Sequence, residues 1–393
     1  MNKKTDYLLF AIFFVVLLIS LPSEVGLKYE WLLIMEESDF SSGLKMYGMP
    51  SAYMPPLYPY YLLLCKGVFG FTDWLKVSLV LQGLLYFFSL RFLVKTLCSI
   101  HFRTLRVQIF LLVLLLFPPL FAGNITVSSL SMSVSLLSVF FALLYRISNE
   151  KEWRSQQIAA LAAVSVLGLY LRYEFLYIIL IAGAVFLYLR KIKIINFILT
   201  GLFVFISYLP WMVRNYLKIG KFTYSTSLNY NFAKGYNLKY NVFSAYNFPY
   251  SPKTDEVLPV EVLYSRFGNE REIDSFLSGL NSEFVATEHV LFVKLTLQKF
   301  AVNFTQYFPD YGWMSGMGIY IFYSIFFLAF QFFLVWALLK IKNRQQGYLF
   351  VFTLSIYLFV LIFYTVAPMP RYFLLFVPYF SAVMARIFLI RNA

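Results

Sequence analysis

Long apolar runs, broken by short basic clusters, set the pattern of this chain. After Lys3 and Lys4 an apolar run extends from Asp6 to about Leu21. Further runs cover 74–96, 105–121, 126–145, 157–171, 173–189, 194–212, 315–339, 347–366 and 372–390. A helix needs roughly 20 apolar residues to cross a bilayer core, so the pattern predicts an all-α membrane protein with about ten transmembrane helices. The pair 157–171 and 173–189 is separated only by the turn Arg172-Tyr173-Glu174. The first run is followed by Pro22 and Glu24 rather than by a small-residue cleavage site, which reads as an uncleaved first helix.

The basic clusters orient these helices. Lys3 and Lys4 precede the first. Arg91, Lys95, Arg103 and Arg106 flank the connection after the second helix, and Arg146, Lys151 and Arg154 that after the fourth. Arg190, Lys191 and Lys193 follow the sixth, Lys340, Lys342 and Arg344 the eighth, and Arg386 and Arg391 close the sequence. With ten helices all of them fall on one side, as the excess of Lys and Arg in cytoplasmic loops requires. An odd number of helices would break the pattern. The first loop, about 23–73, and a long loop, about 213–314, then lie outside, and both exceed a plain connector. Three units follow: a transmembrane module 1–216 carrying the first loop, an extracytoplasmic region 217–314, and C-terminal helices 315–393.

Composition agrees with that reading. Of the 393 residues 60% are hydrophobic, 21% aromatic and 13% charged, an apolar share beyond what a soluble domain carries. Topology accounts for the net charge of +14, and no nucleic-acid motif accompanies it. This topology puts Cys65 and Cys98 on opposite sides of the membrane, which argues against a disulfide between them, and neither a CxxC nor a His-rich metal spacing occurs among the two cysteines and two histidines.

The first loop concentrates the chemistry. Glu36, Glu37 and Asp39 lie close together, ahead of a run stiffened by Pro55, Pro56 and Pro59 and rich in Tyr53, Tyr58, Tyr60 and Tyr61. Acidic groups above a bilayer act as general bases, bind a divalent cation, or simply form a solvated turn. The segment after Pro56 is apolar enough to lie along the interface. In the second loop, tyrosines recur from Tyr224 to Tyr250, either packed or available to stack on sugar rings. The stretch 283–308 has apolar residues at helical spacing and predicts one surface helix.

The stretch SDFSSGLKMYGMPSAYMPPLYPYYLLLCKGVFG resembles the first loop of GT-C class membrane glycosyltransferases, in the bacterial branch akin to protein O-mannosyltransferases and aminoarabinose transferases. Asp39, the Tyr47-Gly48 turn and Pro55-Pro56-Leu57-Tyr58-Pro59 occupy the motif positions. Leu171-Arg172-Tyr173-Glu174 is similar to the family's Arg-containing turn, and Pro210-Trp211-Met212-Val213-Arg214-Asn215-Tyr216 to its PW-RNY motif. Asn231, Gly235 and Asn237 match an Asn/Gly pattern, and Met369-Pro370-Arg371-Tyr372 the Arg-Tyr opening the last helix. The sequence departs from the pattern at Phe40 and Ser129, where many relatives carry acids. That weakens a metal-dependent scheme.

The resemblance implies a ten-helix enzyme of the cytoplasmic membrane with its active site facing outside. It would transfer a sugar, with inversion, from a polyprenyl-phosphate donor to a lipid, glycan or protein acceptor. Asp39 would act as general base, Arg371, Arg172 and Arg214 would bind the donor phosphate, and Glu37, Tyr47, Tyr58 and Asn231 would contact substrate. It implies no certain cofactor, although the three neighbouring acids leave a divalent cation open, and no nucleic acid as partner. Three rival readings compete: a transporter or flippase of lipid-linked sugars, a polysaccharide polymerase, and a non-catalytic relative. Transporters place their site near the midplane between repeated halves, whereas the candidates here gather at one surface.

Overall fold

The computed structural model describes residues 3–22, 34–40, 43–70, 73–98, 104–149, 155–189, 194–241, 247–305, 317–341, 347–363 and 373–390. The chain opens with helix α1 (Lys3–Ser20) and then forms a small hairpin, β1 (Lys45–Met46) and β2 (Met49–Pro50), followed by α2 (Leu57–Phe69). Next come α3 (Trp74–Cys98), α4 (Leu105–Leu115), the short α5 (Pro118–Ala122), α6 (Leu130–Asn149), α7 (Ser155–Leu171), α8 (Phe175–Tyr188) and α9 (Ile194–Ile219). The second loop folds into α10 (Ser227–Gly235), a hairpin of β3 (Tyr250–Ser251) and β4 (Glu256–Val257), α11 (Val260–Arg266), α12 (Glu270–Thr287) and α13 (His289–Thr305). Three helices end it: α14 (Met317–Leu339), α15 (Gly347–Phe363) and α16 (Val377–Ile390).

A helix thus stands at each of the ten predicted positions. Among the described residues, α3, α6, α9 and Ile321–Leu339 of α14 are long and apolar enough to cross a membrane, and six shorter apolar helices accompany them. The protein is a mostly helical, multi-pass membrane protein. The core centres on α3, which packs most extensively on α6, and on α16, whose Phe380, Ala382 and Val383 are fully buried against the helices around them. By contrast α9 lies at the edge, with Phe203, Phe205 and Ile206 outward, as a lipid-facing helix requires.

Three boundaries differ from the sequence reading, each for a local reason. The span expected over 105–121 stops at Leu115, because Pro118 and Pro119 disfavour helix in the residue before them and lack the N–H to continue it. The freed carbonyls of this break sit in the bundle and need donors. Tyr86 of α3 supplies one, its hydroxyl donating to the Leu114 carbonyl at 3.2 Å, and Gln82 of the same helix serves the carbonyls beyond α5, its Nε2 lying 3.1 Å from the Gly123 oxygen and 3.1 Å from that of Thr126. In contrast, α9 runs past the expected end at 212 and through Pro210, stopping where Gly220 adopts φ +78°, the left-handed terminus that glycine favours. The single surface helix expected over 283–308 is two helices, α12 and α13, broken at Glu288.

The two ends of the bundle differ chemically. At one, Arg91 pairs with Asp6 at 2.7 Å, and Arg386 donates to the Leu97 carbonyl and lies over the Tyr145 ring. This is the predicted cytoplasmic end. At the other, the first loop meets the second: Met46 of β1 shares a core with Tyr230, Leu258, Leu263, Tyr264 and Leu277.

Candidate functional site

The first loop takes its shape from a few local choices. Tyr47 (φ 52°) and Gly48 (φ +75°) form the two-residue link between β1 and β2. Positive φ at both central positions is the hairpin turn whose twist suits antiparallel strands. The Gly48 N–H donates to Glu37 Oε2 at 2.6 Å, so Glu37 caps the turn. The Ser38 hydroxyl accepts from the Lys45 N–H at 2.8 Å. Asp39, one residue on, accepts the Gly43 N–H on its carbonyl at 3.0 Å, which leaves its carboxylate on an exposed turn.

That turn lies against Arg214. A methyl group at Gly43 would stand 3.4 Å from Arg214 Nη2 and 3.8 Å from the Tyr60 hydroxyl. The Tyr60 phenol has its pKa raised, chiefly by burial and further by the Asp39 carboxylate, while the Arg214 guanidinium opposes the rise. Residues 39, 60 and 214, far apart in sequence, therefore share one electrostatic neighbourhood at the end of the bundle opposite the Arg91–Asp6 pair. Phe40 stacks on Tyr60 with ring centroids 5.7 Å apart.

Arg214 is committed to the loop backbone. Its Nη1 donates to the Ser51 carbonyl and its Nη2 to that of Leu44, both at 2.7 Å, and the guanidinium lies 4.9 Å from the Trp211 ring centroid. The rest of the motif also fastens loops: Trp211 Nε1 donates to the Tyr224 carbonyl at 3.1 Å and Asn215 Nδ2 to that of Thr223 at 2.9 Å. Arg172, in the turn between α7 and α8, pairs with Glu174 at 2.8 Å, and its neighbour Tyr173 reaches the first loop by donating to the Ala52 carbonyl at 2.9 Å. Arg371 lies outside the described residues.

The residues assigned to substrate divide. Tyr47 packs on Tyr264 of α11 at 5.1 Å. Tyr58 is buried among Met35, Leu62, Leu79, Val127 and Met132, with its hydroxyl 3.4 Å from Gln82 Oε1, which makes it a core residue joining α2 to α3. Asn231 is half-buried on α10. Asn237 terminates that helix by donating to the Ala233 carbonyl at 2.8 Å. Two of the second-loop tyrosines, Tyr230 and Tyr236, are buried, and the Tyr236 ring packs at a tilt on Phe232 and Phe292. Among the described residues no group of three His, Cys, Asp or Glu side chains is placed to hold a metal ion.

Sequence reading did not single out Glu270. This carboxylate opens α12, is 2% exposed, and accepts from the Ala52 N–H at 2.9 Å, from Thr226 Oγ1 at 2.8 Å and from the Tyr264 hydroxyl. Along the chain it is one charge in Gly268-Asn269-Glu270-Arg271-Glu272, and the Asn269–Glu272 pairing there marks only a capped helix start.

No family model matches this chain, and no curated protein is similar to it. Two solved structures align with nearly all of it. One is ArnT from Cupriavidus metallidurans in the apo state, at 12% identity and TM-score 0.46; the other is the same protein bound to undecaprenyl phosphate, at 12% identity and TM-score 0.48. Each alignment covers 98% of this chain and 78% of that one. At this identity no residue correspondence follows from the likeness.

Proposed function

We propose that this protein is a membrane glycosyltransferase of the extracytoplasmic face, using a polyprenyl-phosphate-linked sugar as donor and Asp39 as general base. The observation that carries the reading is the convergence of the exposed Asp39 turn with Tyr60 and Arg214 at one end of the bundle. A lipid-linked donor keeps its tail in the bilayer and its phosphate at the interface, so its chemistry belongs at such an end. The order of the first-loop, Arg-turn and PW-RNY motifs along the sequence supports the same reading.

In this scheme Asp39 takes the proton of the acceptor hydroxyl as its oxygen attacks the anomeric carbon from the face opposite the phosphate. The bond from that carbon to the phosphate oxygen breaks, and the phosphate leaves with the electron pair. Its added charge calls for guanidinium groups, which bind phosphate in a bidentate manner. Arg172 and Arg371 are assigned to it. Arg214, whose Nη atoms serve the Leu44 and Ser51 carbonyls, is assigned to holding the loop.

The test is Asp39→Asn in the full-length protein, assayed with polyprenyl-phosphate sugars and envelope lipid or glycan acceptors. Loss of a positioned general base should lower turnover by about 10²–10⁴-fold, with membrane expression unchanged. Wild-type turnover in the variant would sink the assignment.

A further inference from the structure

Two opposite charges grip the two ends of one peptide unit. The carbonyl of Ser51 and the N–H of Ala52 belong to the same peptide group. Arg214 Nη1 donates to that carbonyl at 2.7 Å, and Glu270 Oε2 accepts from that N–H at 2.9 Å. The peptide dipole of about 3.5 D points its oxygen at the cation and its hydrogen at the anion, so the group bridges an ion pair that never touches. Both side chains come from elements distant in sequence, α9 and the start of α12. The next carbonyl, that of Ala52, is held by the Tyr173 hydroxyl from the turn between α7 and α8.

We propose that Glu270 is a positioning residue of the candidate site, acting with Arg214 through the Ser51–Ala52 peptide to fix the first loop between the bundle and the second loop. The consequence for Asp39 rests on its reading as the base; the clamp itself does not. The physical case is burial. An ionised carboxylate out of water is costly unless it is hydrogen-bonded and offset by opposite charge. Glu270 has three donors, and Arg214 stands across the peptide. Removing either charge leaves the other facing a dipole without its counterpart. Ser51 is also tied back to the hairpin, its N–H donating to the Leu44 carbonyl at 2.9 Å, and Leu44 is the second carbonyl that Arg214 holds. Loosening the clamp therefore loosens the strand that follows the Asp39 turn.

The experiment is amide hydrogen exchange on the full-length protein in lipid nanodiscs, reading peptides that cover 43–53, for wild type, Glu270→Gln, Arg214→Gln and the double variant. Loss of a hydrogen bond to a charged group should speed exchange there about tenfold or more in each single variant. The double variant should exceed the larger single effect only slightly, because both act on one peptide group. Thr226→Val and Tyr264→Phe, each removing one donor to Glu270, should give a smaller rise and serve where Glu270→Gln does not fold. Unchanged exchange in all the Glu270 and donor variants, or a double effect equal to the product of the singles, would overturn the clamp. In transfer assays Glu270→Gln should lower kcat with donor KM within about twofold, the signature of lost transition-state positioning rather than lost binding. A raised KM with unchanged kcat would overturn the positioning role. A wild-type protein without transfer activity would instead fail the enzyme reading and leave the exchange result standing.

Discussion

Lys299 offers a test of the second loop that needs no substrate. Its side chain is 0% exposed, its Nζ donates to the Gly235 carbonyl, and it lies 3.3 Å from the Tyr236 ring centroid and 4.4 Å from that of Tyr240. Burial pulls its pKa from 10.5 down to about 6. The unfolded chain then binds more protons than the folded one between about pH 6 and 10.5, so stability must rise with pH across that window and carry the full penalty below it. At about 1.36 kcal/mol per pH unit, the interval from 10.5 to about 6 sets a ceiling of about 6 kcal/mol. The ring faces and the Gly235 carbonyl favour the cation and offset part of this, by about 2 kcal/mol for a desolvated cation over rings and about 1.5–3 kcal/mol for the charged hydrogen bond. The penalty at pH 6 is therefore about 1–2.5 kcal/mol. Lys299→Met removes the charge and suits a site walled by aromatic rings. Unfolding of both proteins in the same detergent, followed from pH 6 to 10, should show the variant more stable at pH 6 and the difference shrinking as pH rises. Parallel pH profiles, or a variant less stable than wild type at pH 6, would refute the reasoning.

Other outcomes follow from single contacts. Gln82→Leu leaves the Gly123 and Thr126 carbonyls without that donor inside the bundle, at about 1–3 kcal/mol per group, and should lower the unfolding temperature in detergent. Gly48→Val places a β-branched residue at φ +75°, a conformation that costs such residues about 1–2 kcal/mol; faster amide exchange across 45–50 than in wild type is the measurement. Gly168→Val forces a side chain where a Cβ would already come within 2.1 Å of Phe175, and should reduce the folded yield from membranes well below that of Gly201→Val, where no atom lies within 4 Å.

Much of the architecture was legible in the order of the residues. Apolar runs long enough for a bilayer mark where the helices form, because the bilayer leaves few other ways to satisfy a backbone. The Tyr47-Gly48 turn was legible through the resemblance rather than through propensity, since glycine suits positive φ and tyrosine does not. The boundaries at Leu115 and Ile219 were less legible. Prolines misled at both: the Pro118-Pro119 pair interrupts its helix, while Pro210 is carried inside α9.

The site divides along the same line. Sequence alone marked Asp39, Arg172 and Arg214 as charges near the outer surface, because residue type and topology are local properties. It had no means of telling which of them the fold would tie to its own backbone. The fold decided that Glu37 caps a turn, that Tyr58 is core, and that Arg214 holds two loop carbonyls. It also gave Glu270 a burial that nothing around it in sequence foretells, because burial is set by what the rest of the chain brings alongside: here, one peptide group more than two hundred residues away.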